Sequence, residues 1–379
     1  MSEQNQKYDL VIAGAGPVGC VIAERAARLL GWKVLIVDRR KHIAGNCYDT
    51  HHESGVLIHK YGPHYFRTNK PELLHYLSYF TEWIEGNYIV KSAIDGELYP
   101  FPINLLTLRQ FFKQPDLTAE QASVLLESKR EHIGHPKNSE EFVLSRVGRE
   151  LYEAFYLGYT MKQWGIHPRD LAPSVCGRIP IRLNEDERYV DHGFQVTPAK
   201  GFTAMFANMI KHPNIEVMLE TDFNDIKNSV RPKRALVYTG SIDEYFDHKL
   251  GKLPWRSLEF VFKEEDKEFV QPCVQINHPT DEQDYTRSVE IKHVTGQQHP
   301  HTVVSYEYSR TEGDPYYPVP MEANAKLYEQ YKVLAEEETR KNHVFFCGRL
   351  AEYKYYNVDE VIERAFHTFN TIRERYEHQ

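Results

Sequence analysis

The strongest constraint on the fold lies near the start of the chain, in "YDLVIAGAGPVGC", residues Tyr8 to Cys20. Tyr8 to Ala13 is an apolar, β-branched run suited to a strand buried on both faces, and Gly14 ends it. Val18, Val21, Ile22, Ala26 and Leu29 then recur at helical spacing. Gly31 stands where that helix would stop, and Trp32 to Val37 returns as a second apolar strand. The glycines fall in the pattern G-x-G-x-x-G. Gly14 admits a tight turn, Gly16 lets backbone approach a pyrophosphate, and Gly19 permits close helix–strand contact. Amides and the dipole at the helix start would hold phosphates. Asp38 closes the second strand 19 residues after Gly19, where a carboxylate meets ribose hydroxyls. A βαβ unit that binds a dinucleotide follows.

Length and composition bound the remainder. A chain of 379 residues exceeds what one core organises, so two or three domains are expected. With 41% hydrophobic and 26% charged residues it reads as globular and soluble, and its 25 tyrosines and 19 phenylalanines favour pockets that stack planar ligands. The formal charge of −8 argues against a nucleic-acid binder, so an anionic ligand must be met by locally placed arginines. Cys20, Cys47, Cys176, Cys273 and Cys347 are scattered and form no C-x-x-C, which suits free thiols in a reducing cytosol rather than a disulfide framework or a zinc site. Met1 to Lys7 is short and polar without a signal peptide, and no apolar run nears the roughly 18 residues of a membrane helix. A cytoplasmic protein is expected, with no membrane insertion.

Along the rest of the chain the period changes twice. His59 to Pro63 and Tyr99 to Asn104 are rich in glycine, proline and aromatics and read as loops or extended segments. Between about Leu106 and Gly165 the pattern is helical. One helix starts after Thr118 with Gln121 in a capping-box position, and a longer one runs through "SEEFVLSRVGRELYEAFYLGYTMKQW" with Ser139 as its cap. After about residue 250, "SLEFVFKEE", "PCVQINH", "YTRSVEIKHV" and "TVVSYEYS" read as antiparallel strands. "HVFFCGRL" is a further buried strand, and a closing amphipathic helix follows, capped by Asn357 or Asp359. No Ser/His/Asp or Cys/His arrangement is evident. His299 and His301, like His51 and His52, read as solvated loop rather than metal ligands.

The stretch after Asp38, "RRKHIAGNCYD", resembles the basic, glycine-bearing continuation of FAD-binding flavoproteins, with Ala44 replacing the first glycine; this favours FAD over NAD. In order and spacing, "HKYGPHYFRTN", "GYTMKQWG", "RIPIR", "DYTR", "GDPYYPV" and "GRLAEYKYYN" resemble the UDP-galactopyranose mutase family over nearly the whole chain. That resemblance implies an α/β protein with a discontinuous Rossmann-like FAD-binding domain at 1–78, 196–248 and 338–379, a helical domain at 104–165, and an antiparallel β-sheet substrate domain at 79–103, 166–195 and 249–337. It implies an isomerase that uses reduced FAD, supplied by an external reductant, to interconvert UDP-galactopyranose and UDP-galactofuranose by attack of flavin N5 on the anomeric carbon. The product would feed a cell-surface glycan, and a homodimer is compatible. Two rivals are a mutase for another nucleotide sugar and an FAD oxidoreductase of the amine-oxidase type.

Site residues follow from the same resemblance. FAD contacts are expected from Gly14, Gly16, Gly19, Asp38 and Arg39, from Gly45 and Asn46, from Tyr61, Gly62 and His64, and from Gly240, Gly348 and Arg349. Arg178 and Arg287 stand where the family places its diphosphate arginines, a task suited to permanently charged, multi-donor guanidinium groups, and with His64 they would support the flavin chemistry. Tyr159, Thr160 and Trp164 match the nucleotide pocket, Tyr189, Tyr317 and Tyr355 the diphosphate and sugar, and Asn277 a base- or sugar-side contact. No metal is implied. Four positions depart from the family pattern: Arg67 replaces a histidine, Asn357 an aspartate, Val190 an aromatic residue and Ser241 a proline. The first two move local charge in the positive direction. They leave open whether the preferred nucleotide sugar differs from UDP-galactose or only the phosphate contacts do.

Overall fold

The computed structural model describes residues 7–377; the polar start at 1–6 lies outside the described residues. Strand Leu10–Ala13 is the centre of a five-stranded parallel sheet ordered Ile215–Met218, Val34–Val37, Leu10–Ala13, Ala235–Tyr238, Val344–Phe346. Alternation divides its side chains between two cores. Leu10, Ile12, Val34 and Ile36 pack with the helices Pro17–Leu30, Gly201–Ile210 and Val358–Glu377. Val11, Ala13, Leu35 and Val37 pack on the opposite face around Phe223 and Tyr238. Burial on both faces is why these strands read as unbroken apolar runs. Helix Pro17–Leu30 begins on Pro17, whose missing N–H costs nothing there, and ends on Gly31 at φ 65°, whose N–H bonds Ala26 O.

The second large sheet has seven strands, in the order Tyr317–Pro318, Trp255–Glu265, Thr302–Arg310, Arg287–Glu290, Gln275–Asn277, Val90–Ile94, Glu97–Phe101. Every neighbouring pair is antiparallel except Gln275–Asn277 with Val90–Ile94. That exception is invisible locally, because the two strands are distant in sequence. The run "YTRSVEIKHV" is strand only to Glu290; Lys292–Thr295 is a helical turn. There the Lys292 ammonium donates to the carbonyls of Glu268, His299 and His301.

Helices Leu105–Phe111, Ala119–Lys129 and Ser139–Val147 cover one end of this sheet. Thr118 and Gln121 form the expected capping box. The cap of the next helix is Asn138, not Ser139: Asn138 Oδ1 accepts from Glu141 N, while the Ser139 hydroxyl donates to Ala172 O. The long helix expected through Trp164 is interrupted at Gly148, at φ 79°, where a Cβ would lie 2.3 Å from Lys129 O. It resumes through a π-helical stretch, Tyr152–Leu157, and ends as Gly158–Trp164. Among the described residues no helix is long and apolar enough to cross a membrane.

Candidate active site

A cleft opens at the carboxyl ends of the parallel strands, the usual ligand position in such sheets. Three glycines shape it for different reasons. Gly14 sits at φ 118° and a Cβ there would strike Thr239 Oγ1 at 1.9 Å; a Cβ on Gly19 would lie 2.0 Å from Gly14 O. These two are demanded by the protein itself. Gly16 is different: its backbone is ordinary extended, and the nearest atom to a Cβ is Gly45 Cα at 3.7 Å. Nothing in the chain requires its smallness, so the pair Gly16 and Gly45 forms a cradle that a ligand would fill. First-turn amides of the following helix lack intrahelical acceptors. The donor set fits a dinucleotide.

Gly14, Gly16, Asp38, Arg39, Gly45, Asn46, His64, Gly240, Gly348 and Arg349 all line this cleft. Gly19, Tyr61 and Gly62 do not. Gly19 is internal packing, Tyr61 donates through its hydroxyl to or accepts from His42 Nε2 at 2.8 Å beneath the Arg40 guanidinium, and Gly62 lies against Phe260. Asp38 is also engaged by protein, accepting from Ala15 N at 2.7 Å and Arg40 N at 2.8 Å, which locks the glycine turn. Residues not foreseen complete the wall: Asp222, Phe223 and Asn224, then Thr239, Glu244 and Tyr356. Tyr356 lies within "GRLAEYKYYN", but Asp222, Phe223, Asn224 and Glu244 carry no motif and come from the short helices Phe223–Ile226 and Ile242–Tyr245 that follow two strands of the parallel sheet. At the rim Arg40 donates to Asn46 Oδ1 and to Asp314 Oδ2 at 3.0 Å, joining the turn after Asp38 to the "GDP" loop.

Arg349 leads from this cleft to the second group of expected residues. It lines the cleft, donates to Tyr356 O at 2.8 Å, and stacks its guanidinium 4.6 Å from the Tyr355 ring. Arg178, solvent-facing at the end of Ser174–Gly177, lies 5.4 Å over the same ring. Tyr317 stacks on Tyr355 at 5.8 Å, and Trp164 meets Tyr317 at 6.1 Å. Arg287 is held by the fully buried Glu307, whose Oε2 accepts from Nε at 2.6 Å. Asn277 is the register partner of Arg287 on the adjacent strand and accepts from Gln275 Nε2. Tyr88, which donates to Gln275 Oε1, lies tilted to Tyr189 at 6.2 Å and stacks on Tyr65. Thr160 does not join the group; it is buried with its hydroxyl near Cys176 Sγ.

Electrostatics follow this clustering. Burial alone would raise the Tyr355 phenol, but Arg349, Arg178, Arg67 and Arg287 outweigh it and bring the phenol below its ordinary range. Burial pushes the Glu307 carboxyl up and Arg287 opposes it. His64, whose Nδ1 meets Gly62 O at 2.9 Å, is lowered to about 3 by burial and the nearby cations, so its imidazole is neutral. Arg67 donates to Tyr65 Oη at 3.2 Å and to Asn357 Oδ1 at 2.6 Å. Asn357, expected on the substrate side, borders the dinucleotide cleft at the start of the final helix: its carbonyl accepts from Val361 N at 3.0 Å, its N–H donates to Glu360 Oε2 at 2.7 Å, and its amide oxygen accepts from Arg67. Among the described residues no group of histidines, cysteines and carboxylates could hold a metal.

The family model described as UDP-galactopyranose mutase matches residues 154–355, over half of the chain and the span holding Trp164, Arg178, Arg287 and Tyr355. The chain belongs to the UDP-galactopyranose mutase family. It is therefore a mutase-type isomerase, and a second family model, an NAD(P)-binding Rossmann-like domain, matches residues 12–80. As a member of the UDP-galactopyranose mutase family it is 35% identical to a probable UDP-galactopyranose mutase of Klebsiella pneumoniae, over 95% of this chain and 93% of that one. It is equally 35% identical to a dTDP-fucopyranose mutase of Escherichia coli, over 94% and 96%. A crystal structure of reduced UDP-galactopyranose mutase superposes with a TM-score of 0.73 at 15% identity, covering 98% of this chain and 94% of that one. A putrescine oxidase bound to putrescine matches at 0.56 and 13%, covering 97% and 99%, a likeness of fold alone.

Proposed function

We propose that the chain interconverts UDP-galactopyranose and UDP-galactofuranose in the cytoplasm, with FAD in the cleft, active when an external reductant has reduced it. The observation that carries this reading is the continuity from the dinucleotide cleft, through Arg349, to the arginine-ringed Tyr355. When bound, reduced flavin supplies a nucleophilic nitrogen to an anomeric carbon. The chain's own residues handle the departing group. Arg178 and Arg287 neutralise the diphosphate, Tyr355 and Tyr317 donate to its oxygens, and Trp164 and Tyr159 offer faces for the base. Neutral His64 contributes packing and a hydrogen bond beside the flavin rather than charge. The cofactor domain would be assembled from 1–78, 196–248 and 338–379, with the substrate domain closing the other side.

A second reading keeps the ring chemistry and changes the nucleotide sugar. It is favoured by the Arg67–Asn357 bond, which leaves an unneutralised cation beside Tyr355. The equal likeness to relatives named for UDP-galactose and for dTDP-fucose gives neither reading precedence. The test is an absorption spectrum of the purified protein, followed by turnover of UDP-galactofuranose and other nucleotide furanoses with and without dithionite. A mutase needs reductant only catalytically; an oxidoreductase consumes an electron acceptor in proportion to product. Colourless protein, or turnover indifferent to dithionite, overturns the proposal.

A further inference from the structure

Asn277 and Arg287 face each other in register on adjacent antiparallel strands, and the hairpin between them spans 278–286. Three carbonyls of that hairpin converge on one side chain from another part of the chain. Lys162 Nζ donates to His278 O at 2.9 Å, to Gln283 O at 2.6 Å, and to Thr280 O. An ammonium has three N–H donors and no acceptor, so its capacity is used in full on backbone. None of its bonds goes to a carboxylate, although Asp281 and Asp284 lie close enough to favour the charge.

A second contact, one turn earlier in the same helix, brings the hairpin closer still. A Cβ at Gly158 would lie 2.0 Å from Pro279 O, so the helix backbone rests directly on the hairpin. The opposite end of the helix is fixed elsewhere: Gln163 O accepts from Arg256 Nε at 3.0 Å and from Ser309 Oγ at 2.5 Å. Helix Gly158–Trp164 is thus anchored to the sheet independently of Lys162, while the hairpin reaches the helix through Lys162 and Gly158.

We propose that Lys162 is a positioning residue for the nucleotide end of the substrate cleft. Its ammonium clamps the hairpin joining Asn277 to Arg287 against the helix that carries Tyr159 and Trp164. The identity of the ligand rests on the mutase reading; the clamp itself does not. Loss of the ammonium leaves three carbonyls to water and lets the hairpin move, so the arginine and the aromatic face no longer hold a fixed separation. That costs binding of the nucleotide rather than the rate of the chemical step.

The test uses flavin-loaded Lys162→Met. In the absence of ligand, amide hydrogen exchange across 278–286 is expected to quicken about tenfold, with exchange in 158–164 held by the Gln163 anchor. The Kd of UDP and the KM of the nucleotide sugar are expected to rise about tenfold while kcat stays within about twofold. All five native cysteines are buried, so aminoethylation of Lys162→Cys restores an ammonium at this position alone and is expected to reverse both effects. If Lys162→Met fails to fold, Lys162→Arg serves, because a planar fork does not match three converging carbonyls. Unchanged exchange in the hairpin overturns the proposal, as does faster exchange with an unchanged Kd for UDP. Should the parent protein bind no UDP, the UDP-galactose reading fails, and the exchange measurement alone decides the clamp.

Discussion

The guanidinium of Arg67 donates to the side-chain oxygen of Asn357 across 2.6 Å, joining strand Phe66–Thr68 to the start of the final helix. Both positions depart from the family pattern, and the bond makes them one feature. An aspartate at 357 would neutralise Arg67; an asparagine accepts the same hydrogen bond and leaves the charge in place.

Asn357→Asp is therefore expected to weaken UDP binding about fivefold, roughly 1 kcal/mol at the dielectric of a part-exposed site. Isothermal titration of the flavin-loaded protein measures this. The same variant moves the Tyr355 phenol back up, because Arg67 is one of the four cations lowering it.

The pH dependence of binding follows from Tyr355. Its phenol loses its proton earlier than an ordinary tyrosine as pH rises, because Arg349, Arg178, Arg67 and Arg287 outweigh burial. The phenolate repels a diphosphate. UDP affinity is expected to fall as pH rises through that depressed pKa and to be flat over the same range in Tyr355→Phe. Phenolate absorbance in the ultraviolet, lost in the same variant, assigns the titration.

Arg287 and Glu307 form a pair whose carboxylate is fully buried, with Oε1 lacking a partner. Arg287→Met strands that carboxylate and is expected to cost about 3 kcal/mol in urea unfolding. Adding Glu307→Gln removes the stranded charge, so the double variant should recover more than half of the loss.

The glycine turn separates two kinds of requirement. Gly19→Ala places a Cβ 2.0 Å from Gly14 O and is expected to disrupt the fold by circular dichroism. Gly16→Ala meets no protein atom within 3.4 Å and is expected to fold normally but purify with little flavin absorbance.

At the cleft rim, Asp314→Ala removes the Arg40 contact and the more distant one to Arg39. Asp314 is half exposed, so the expected effect is small, about a two- to fivefold faster release of flavin, read by recovery of its fluorescence.

Much of the site was legible because its residues sit in contiguous motifs. The strand–glycine–helix opening, the capping box at Thr118 and the stop at Gly31 depend on neighbours within a few positions, and local rules suffice for them. The break at Gly148 was not legible. Its cause is the carbonyl of Lys129, brought there by the turn between two helices. Tyr61 and Gly62 carry a site-like motif yet pack against His42 and Phe260, contacts that only the assembled sheets create. Asp222, Phe223 and Asn224 line the cleft without a motif, because the wall is set by where the strand Ile215–Met218 ends in the sheet.

By itself, then, the order of residues determined the parallel sheet's first βαβ unit, its glycine turn and the kind of chemistry the arginines and aromatic motifs imply. Periodicity and backbone conformation act over a turn or a strand, so they are written in short stretches. The tertiary structure alone decided that Arg67 meets Asn357, that Glu307 grips Arg287, and that Lys162 holds the hairpin between Asn277 and Arg287. Each of these is a contact across 20 to 290 positions, and its partner is chosen by packing, not by sequence spacing.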